Sequence, residues 1–298
     1  MRAIVTGGAG FIGSHVVDAL LARGDEVLVL DDLSNGRREN VPEAARLEVV
    51  DILEPIDFDG AEVCFHLGAQ VDVRVAVDRP THDAQVNVLG TVNVLEAARA
   101  HGTQVVFAST GGAIYGECDG PVAEDAARRP ISPYGVSKLA AEEYLAAYNR
   151  LYGASHASLR YANVYGPRQD PRGEAGVVSI FFGRLAAGEP PRIFGDGSQT
   201  RDYVFVGDVA RATLAAAGRP GVFNIGTGIE TSVLELYELC RRVAGSELDP
   251  QHVDERLGEV QRSVLDAAHA QRELGWRPEV ELEEGLRQTW RSIAGSEP

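Results

Sequence analysis

Three glycines, Gly7, Gly10 and Gly13, stand between a short apolar run, Arg2–Thr6, and a helical pattern from Phe11 to Arg23 that Gly24 stops. Glycines at this spacing allow a tight strand-to-helix turn. They also let the backbone come close to a pyrophosphate held at the helix N-terminus. Alone, the triplet is an ordinary glycine-rich turn; between a strand and a helix it predicts a dinucleotide site. Asp31 closes the next apolar run, 18 residues after Gly13. A carboxylate there can accept hydrogen bonds from the adenosine ribose and repels a 2′-phosphate, which favours NAD over NADP. Arg37 and Arg38 could hold a 2′-phosphate, but they lie beyond the Ser34-Asn35-Gly36 turn.

Further strand-like runs follow at Glu26–Leu30, Leu47–Val50, Val63–His66, Gln104–Ala108 and His156–Tyr161. Helical patterns lie between them, including Thr81–Ala100 and Pro133–Tyr152, the second with Ser132 as N-cap and Pro133 in its first turn. Alternating strands and helices imply an α/β fold with a parallel sheet and right-handed crossovers. Residues 166–200 are rich in Gly, Pro, Arg and Asp and read as a loop-rich lobe. Beyond them, strands are expected at Tyr203–Val206 and Val222–Ile225. Helices are expected at Val209–Ala217, Thr231–Ala244, Ala267–Leu274 and Leu282–Ser292.

At 298 residues the chain has room for two lobes at about 150 residues each. Lys and Arg number 28 against 44 Asp and Glu, a net charge of −16, which argues against nucleic acid or an anionic membrane as partner. The three cysteines, Cys64, Cys118 and Cys240, have neither metal-ligand nor redox-motif spacing, so no metal is expected. The N-terminus does not read as a signal peptide, and no stretch approaches the ~20 apolar residues of a membrane span. A cytoplasmic location is the expectation. The scattered His66, His82, His101 and His269 read as structural or surface groups, Glu142-Glu143 as a solvated helix face, and Trp276 and Trp290 as packing residues.

Tyr134-Gly-Val-Ser-Lys138 puts a phenol and an ammonium on one helix face. Such a pair is common by chance, but it lies downstream of the glycine turn and of the Ser109-Thr110 strand end. Bringing a phenol from about 10 to near neutrality needs roughly 4 kcal/mol of differential stabilisation. Lys138 and a positive nicotinamide are the expected source.

The chain resembles the extended short-chain dehydrogenase/reductase family, and within it the nucleotide-sugar 4-epimerases. The resemblance rests on TGGAGFIGSH (6–15), DDLSNG (31–36), HLGAQ (66–70), STGGAIYG (109–116), YGVSK (134–138), RYANVYGPRQ (160–169), FGDGSQTRDYVFVGDVA (194–210) and RLGEV (256–260). It implies a Rossmann-type doubly wound parallel sheet over residues 1–165, with 201–224 returning to it. A smaller α/β substrate-binding lobe takes most of 166–298. It implies NAD held by Gly7, Gly10, Phe11, Ile12, Gly13, Asp31, Asn35, Asp51, Ile52, Leu67, Ala69, Gln70 and Asn87, with Tyr134 and Lys138. It further implies a UDP-sugar met by Thr110, Tyr161, Asn163, Val177, Arg201 and Arg256. Tyr134 would be the acid/base that takes the O4 proton, Lys138 its partner and Thr110 the hydroxyl on the reacting oxygen. C4 would invert through a 4-keto sugar that turns about its anchored diphosphate.

Thr110 precedes Tyr115 by five residues where related enzymes often have four, so Ser109 stays open as the catalytic hydroxyl. Gly111, Gly112, Ala113 and Ile114 include no carboxylate, whereas the resembling dehydratases and decarboxylases carry one there to go beyond the keto stage. Arg172 stands where neutral-hexose epimerases typically have an uncharged residue or His. A guanidinium can bind a carboxylate bidentately, which leans towards UDP-glucuronate and UDP-galacturonate. If Arg172 instead pairs with Asp170 or Glu174, the sugar is a hexose, as in UDP-glucose and UDP-galactose, or an N-acetylhexosamine. Ser263 is small where some hexose epimerases carry a Tyr, leaving room at the sugar's C2. The resemblance also implies a homodimer through the helices at Thr81–Ala100 and Pro133–Tyr152, with Val88, Val92, Leu95, Leu145 and Tyr148 as candidate contacts. A reading from another class is a non-catalytic dinucleotide sensor, which has no need of Thr110, Tyr134 and Lys138 together.

Overall fold

The computed structural model describes residues 1–58, 60–171, 176–255 and 260–295. The first half alternates as expected: β1 (Arg2–Thr6), α1 (Phe11–Ala22), β2 (Glu26–Asp31), β3 (Arg46–Val49) and β4 (Val63–His66). Next come α2 (Val73–Asp78), α3 (Pro80–Ala84), a π-helical turn (Gln85–Gly90), α4 (Thr91–His101) and β5 (Gln104–Thr110). A short α5 (Gly111–Ile114) then precedes the long α6 (Pro133–Tyr152) and β6 (Ala157–Tyr161). Ser132 caps α6 by accepting from the Gly135 N–H at 3.2 Å. The single helix expected over Thr81–Ala100 is thus two α-helices with a π turn between them.

The second half holds β7 (Asn163–Tyr165), α7 (Val177–Ala186), β8 (Arg192–Phe194), β9 (Thr200–Phe205), α8 (Val206–Ala215) and β10 (Gly221–Ile225). After these come β11 (Glu230–Ser232), α9 (Val233–Ala244), β12 (Gln251–Val253), β13 (Arg262–Ser263), α10 (Ala268–Leu274) and α11 (Leu282–Ala294). The stretch read as loop-rich therefore contains a regular helix, α7, whose apolar residues Val178, Phe181, Phe182 and Leu185 are buried.

Seven strands form one parallel sheet in the order β10-β6-β5-β4-β1-β2-β3. Pleating sends alternate residues of β1 to opposite faces. Ala3 and Val5 pack with Val16, Val17 and Leu20 of α1 and Val209 and Ala212 of α8, while Ile4 packs with Val94 and Leu95 of α4 and Leu145 of α6. Within residues 201–224, β10 and α8 belong to this unit, whereas β9 lies in a second sheet with β7, β11 and β13. A third core joins α7, α9 and α11 to β9 around Phe182, Leu236, Tyr237 and Leu286. Leu95, Leu145 and Tyr148, offered above as intersubunit contacts, are core residues. No described helix is long and apolar enough to cross a membrane.

Two buried histidines tie the fold to pH. His66 Nδ1 lies 2.7 Å from Thr6 Oγ1 and its Nε2 3.1 Å from Thr91 Oγ1. Burial, then the Lys138 charge, lowers its pKa to about 3. Burial alone lowers that of His156 to about 4. Unfolded histidines bind protons near 6.5, so below that pH the unfolded chain takes up protons that the folded chain refuses. Stability is expected to fall as pH drops from about 6.5 towards about 4, by up to ~1.4 kcal/mol per pH unit for each histidine. Urea midpoints of the wild type and of His66→Gln and His156→Gln across this range check it; identical pH slopes in all three would contradict it.

Candidate active site

The order of the parallel sheet reverses between β1 and β4, since β1 leads to β2 on one side and β4 continues to β5 on the other. Ligands of open α/β sheets bind outside the strand C-termini at such a point. The glycine turn after β1 and the segment Leu67–Gln70 after β4 meet there. Gly7 has φ +69°, and a Cβ on it would stand 2.6 Å from the Gly68 nitrogen. A Cβ on Gly13 would stand 2.1 Å from the Gly7 carbonyl oxygen, so the turn closes only with hydrogen at both positions. Gly10 caps α1 with no side-chain hydrogen bond, and the first turn has no acidic residue. The N–H groups of Phe11, Ile12 and Gly13 thus begin a helix whose positive end is uncompensated by side chains, the arrangement that suits a diphosphate.

Asp31 ends β2 beside this turn, accepting from the N–H of Ala9 and of Leu33 at 2.9 Å each. Burial pushes its carboxyl upward, and those two N–H groups pull it down. Arg37 pairs with Asp170 at 3.0 Å, which occupies one of the two arginines considered for a 2′-phosphate. Asn35 and Asp51 are exposed, Ile52 is buried against Gly90, and Leu67 and Ala69 are half-buried. Asn87, on the π turn, donates to the Gln70 carbonyl at 2.9 Å, to Asp83 at 3.0 Å and to Ser137 at 3.2 Å, and accepts from the Gln70 N–H. These groups fit NAD: the bare helix end and the Gly7–Gly13 turn suit its pyrophosphate, and the Asp31 carboxylate suits the ribose hydroxyls.

Tyr134, Lys138 and Thr110 come together where α6 crosses the end of β5. The Thr110 side chain, at the end of β5, lies close to the Tyr134 phenol. Ser109 turns the other way and donates to Glu142. Ser109 is engaged by Glu142, and Thr110 is the one of the two hydroxyls that acts on the phenol. Lys138 is buried, donates to the Ala108 carbonyl at 3.0 Å, and lies 4.7 Å from the centre of the Phe107 ring. Burial lowers its pKa to about 8, against the upward pull of Asp83 and Glu142. Burial, then Asp83, pushes the Tyr134 phenol up while Thr110 pulls it down. The chain's own groups favour the protonated phenol, and the ammonium of Lys138 faces the Ala108 carbonyl. The expected lowering of the phenol by Lys138 does not emerge from the protein alone.

Behind the triad lies a network that the sequence reading missed. Glu142 is 4% exposed, not on a solvated face. It receives Arg160 Nη2 at 2.7 Å and Nε at 3.0 Å; Arg160 Nη1 reaches the Tyr115 hydroxyl at 2.7 Å and the Glu124 carbonyl at 2.9 Å. Tyr115 in turn donates to Asn224 at 2.8 Å. Glu142 follows Lys138 by one helical turn on the same face, the only signal that could have marked it as buried.

The substrate side is partly assembled. Thr110 pairs in register with Tyr161, and Asn163 follows at the start of β7 with its Oδ1 3.5 Å from the Cβ position of Gly112. Tyr161 itself does not face this space: it is buried and its hydroxyl lies 2.8 Å from Thr213 on α8. Its alternation along β6 sends the ring to the α8 side of the sheet. Val177 opens α7. Arg201 pairs in register with Ser263, which is 4% exposed. Arg172 and Arg256 lie outside the described residues.

The comparisons with known proteins agree with this geometry. The family model "NAD dependent epimerase/dehydratase family" matches residues 3–226. A putative UDP-glucose 4-epimerase of Methanocaldococcus jannaschii is 49% identical, covering 95% of each chain. The solved UDP-glucose 4-epimerase of Thermotoga maritima, with UDP-glucose, superposes with a TM-score of 0.94 at 45% identity, covering 98% of each chain. The Thermus thermophilus UDP-glucose 4-epimerase in complex with NAD gives the same TM-score and identity over 99% of this chain and 100% of its own. The chain belongs to the NAD-dependent epimerase/dehydratase family. Within it, the protein is an NAD-dependent nucleotide-sugar 4-epimerase, an isomerase.

Removing one partner of a buried ion pair strands the other charge. Arg160→Met is expected to destabilise the protein by about 3–5 kcal/mol, and adding Glu142→Leu to recover at least half of that loss. Denaturant unfolding of both variants measures it. A single variant within ~1 kcal/mol of wild type would contradict the assignment.

Proposed function

We propose that the protein interconverts UDP-glucose and UDP-galactose by inverting C4, with Tyr134 as acid/base, Thr110 on the reacting oxygen and Lys138 as the charge that partners the phenol. The observation that carries this is that Thr110, at the C-terminal end of β5, acts on the Tyr134 phenol, with Lys138 buried one helical turn further along α6. The sugar follows the relatives named UDP-glucose 4-epimerase and the one solved with UDP-glucose. The hexuronate lean rested on Arg172, which lies outside the described residues, and no relative cited above supports it.

When bound, NAD supplies hydride exchange at the sugar's C4 and a positive ring charge. The protein handles the proton: Tyr134, as the phenolate, accepts it from O4 and returns it, while Thr110 holds the oxygen as its charge changes. Lys138, donating to the Ala108 carbonyl, keeps its charge beside the phenol on the same helix face. Arg201, on β9, anchors the diphosphate while the sugar turns. Gly111–Ile114 offer no carboxylate, so elimination and decarboxylation have no acid or base. A sensor reading gives no reason for this hydroxyl pair and buried ammonium.

The small side chain of Ser263, paired in register with Arg201, supports tolerance of an N-acetyl group at C2. A homodimer is also proposed: Val136, Tyr144 and Leu151 are exposed along one face of α6, and Leu89 is exposed on the neighbouring π turn.

Wild-type enzyme should convert UDP-glucose with a higher kcat/KM than UDP-glucuronate, and Tyr134→Phe should lower kcat by at least about a hundredfold. Faster turnover of UDP-glucuronate would overturn the sugar assignment, and a Tyr134→Phe variant near wild-type rate the acid/base assignment. Light scattering at micromolar concentration should give a dimer mass that Tyr144→Glu reduces; a wild-type monomer would contradict the interface.

A further inference from the structure

Asp83 lies on α3 and is 1% exposed. Its Oδ1 accepts from Gln70 Nε2 at 2.9 Å and from Asn87 Nδ2 at 3.0 Å. Both donors are neutral amides, and both are held elsewhere: Gln70 Nε2 also donates to the Asp72 carbonyl, and Asn87 to Ser137 on α6. The Asp72 carboxylate is itself spent on the N–H groups of Arg74 and Val75. α3 packs directly on α6, the helix of Tyr134 and Lys138.

The charges facing the buried Lys138 ammonium come from three elements. β4 contributes His66, uncharged at working pH; α6, the helix of Lys138 itself, contributes Glu142; α3 contributes Asp83, tied to that helix through Asn87 and Ser137. Glu142 is neutralised at close range by Arg160. That leaves Asp83 as the carboxylate near Lys138 bound by neutral groups alone among those just named. A buried ammonium without a counter-charge loses its proton, and a carboxylate near a phenol opposes ionisation of that phenol.

We propose that Asp83 is a positioning residue of the reaction: held by Gln70 and Asn87, its carboxylate is the counter-charge that sets the pH window of the Tyr134–Lys138 pair. This rests on the acid/base reading given above. Both effects have the same sign, since the negative charge keeps the proton on Lys138 and on Tyr134. Removing it moves both ionisations to lower pH. The window in which phenolate and ammonium coexist is then displaced rather than narrowed from one side.

Asp83→Asn keeps the shape and an acceptor for the two amides while removing the charge. Both limbs of the kcat/KM profile for UDP-glucose should move to lower pH by about one unit, the size of one partly screened charge interaction. The ultraviolet phenolate absorbance of Tyr134, taken as the difference between each protein and its Tyr134→Phe counterpart, should titrate correspondingly earlier. Asp83→Ser is a second neutral variant with the same expected shift, and Asp83→Glu, which retains the charge, should restore the wild-type limbs. A neutral variant that loses rate with unmoved limbs and unmoved phenolate titration would overturn the proposal and leave Asp83 a structural partner of Gln70 and Asn87. If Tyr134→Phe keeps wild-type turnover, the acid/base reading fails separately, and the phenolate titration still decides whether Asp83 governs the phenol.

Discussion

The ion pair between Arg160 of β6 and Glu142 of α6 is the interaction on which the site depends. Strand and helix come from different layers: β6 pairs in register with β5, which ends at Thr110, and α6 carries Tyr134 and Lys138. A bidentate guanidinium–carboxylate pair fixes the approach of these layers in distance and in angle. Ser109 joins the same carboxylate, and Thr110, the last residue of β5, lies near the phenol. A buried pair of this kind gives little net stability, but its carboxylate fixes where the Ser109 hydroxyl points.

Electrostatics and topology converge on one crevice. Burial drives Lys138 down and Tyr134 up, both away from the charged forms that proton transfer needs. The counter-effects come from placed groups: Asp83 and Glu142 on the ammonium, and Thr110 on the phenol. The same edge of the sheet presents the N-terminus of α1, at the switch point between β1 and β4. The pocket thus combines a fixed anion cradle with a titratable pair whose balance depends on what is bound.

Most of the fold was legible. β1, β4 and α6 coincide with the runs read from periodicity and capping, because parallel strands buried on both faces are continuous apolar segments and Ser132-Pro133 is a strong helix start. The glycine turn, Asp31 and Tyr134–Lys138 were legible because their spacing is local. What failed was tertiary. α7 hid in a stretch rich in glycine and proline, one of whose glycines, Gly183, lies inside the helix. The π turn at Gln85–Gly90 leaves the helical pattern intact while shifting its phase. Leu95, Leu145 and Tyr148 looked available for a partner, yet they fill the layer between helix and sheet. Glu142 looked solvated because its partner lies on a strand that only folding brings near. Tyr161 illustrates the limit of motif transfer: the motif places the residue, but pleating sends its ring to α8.

The central claim is that Tyr134 and Thr110 together meet the oxygen whose proton is moved. A crystal structure of the NAD-loaded enzyme with UDP-glucose tests this most directly. The account predicts the sugar's O4 within hydrogen-bond reach of both hydroxyls, with the Ser109 hydroxyl still turned to Glu142. An O4 held by other residues, with Tyr134 remote from the sugar, would contradict it.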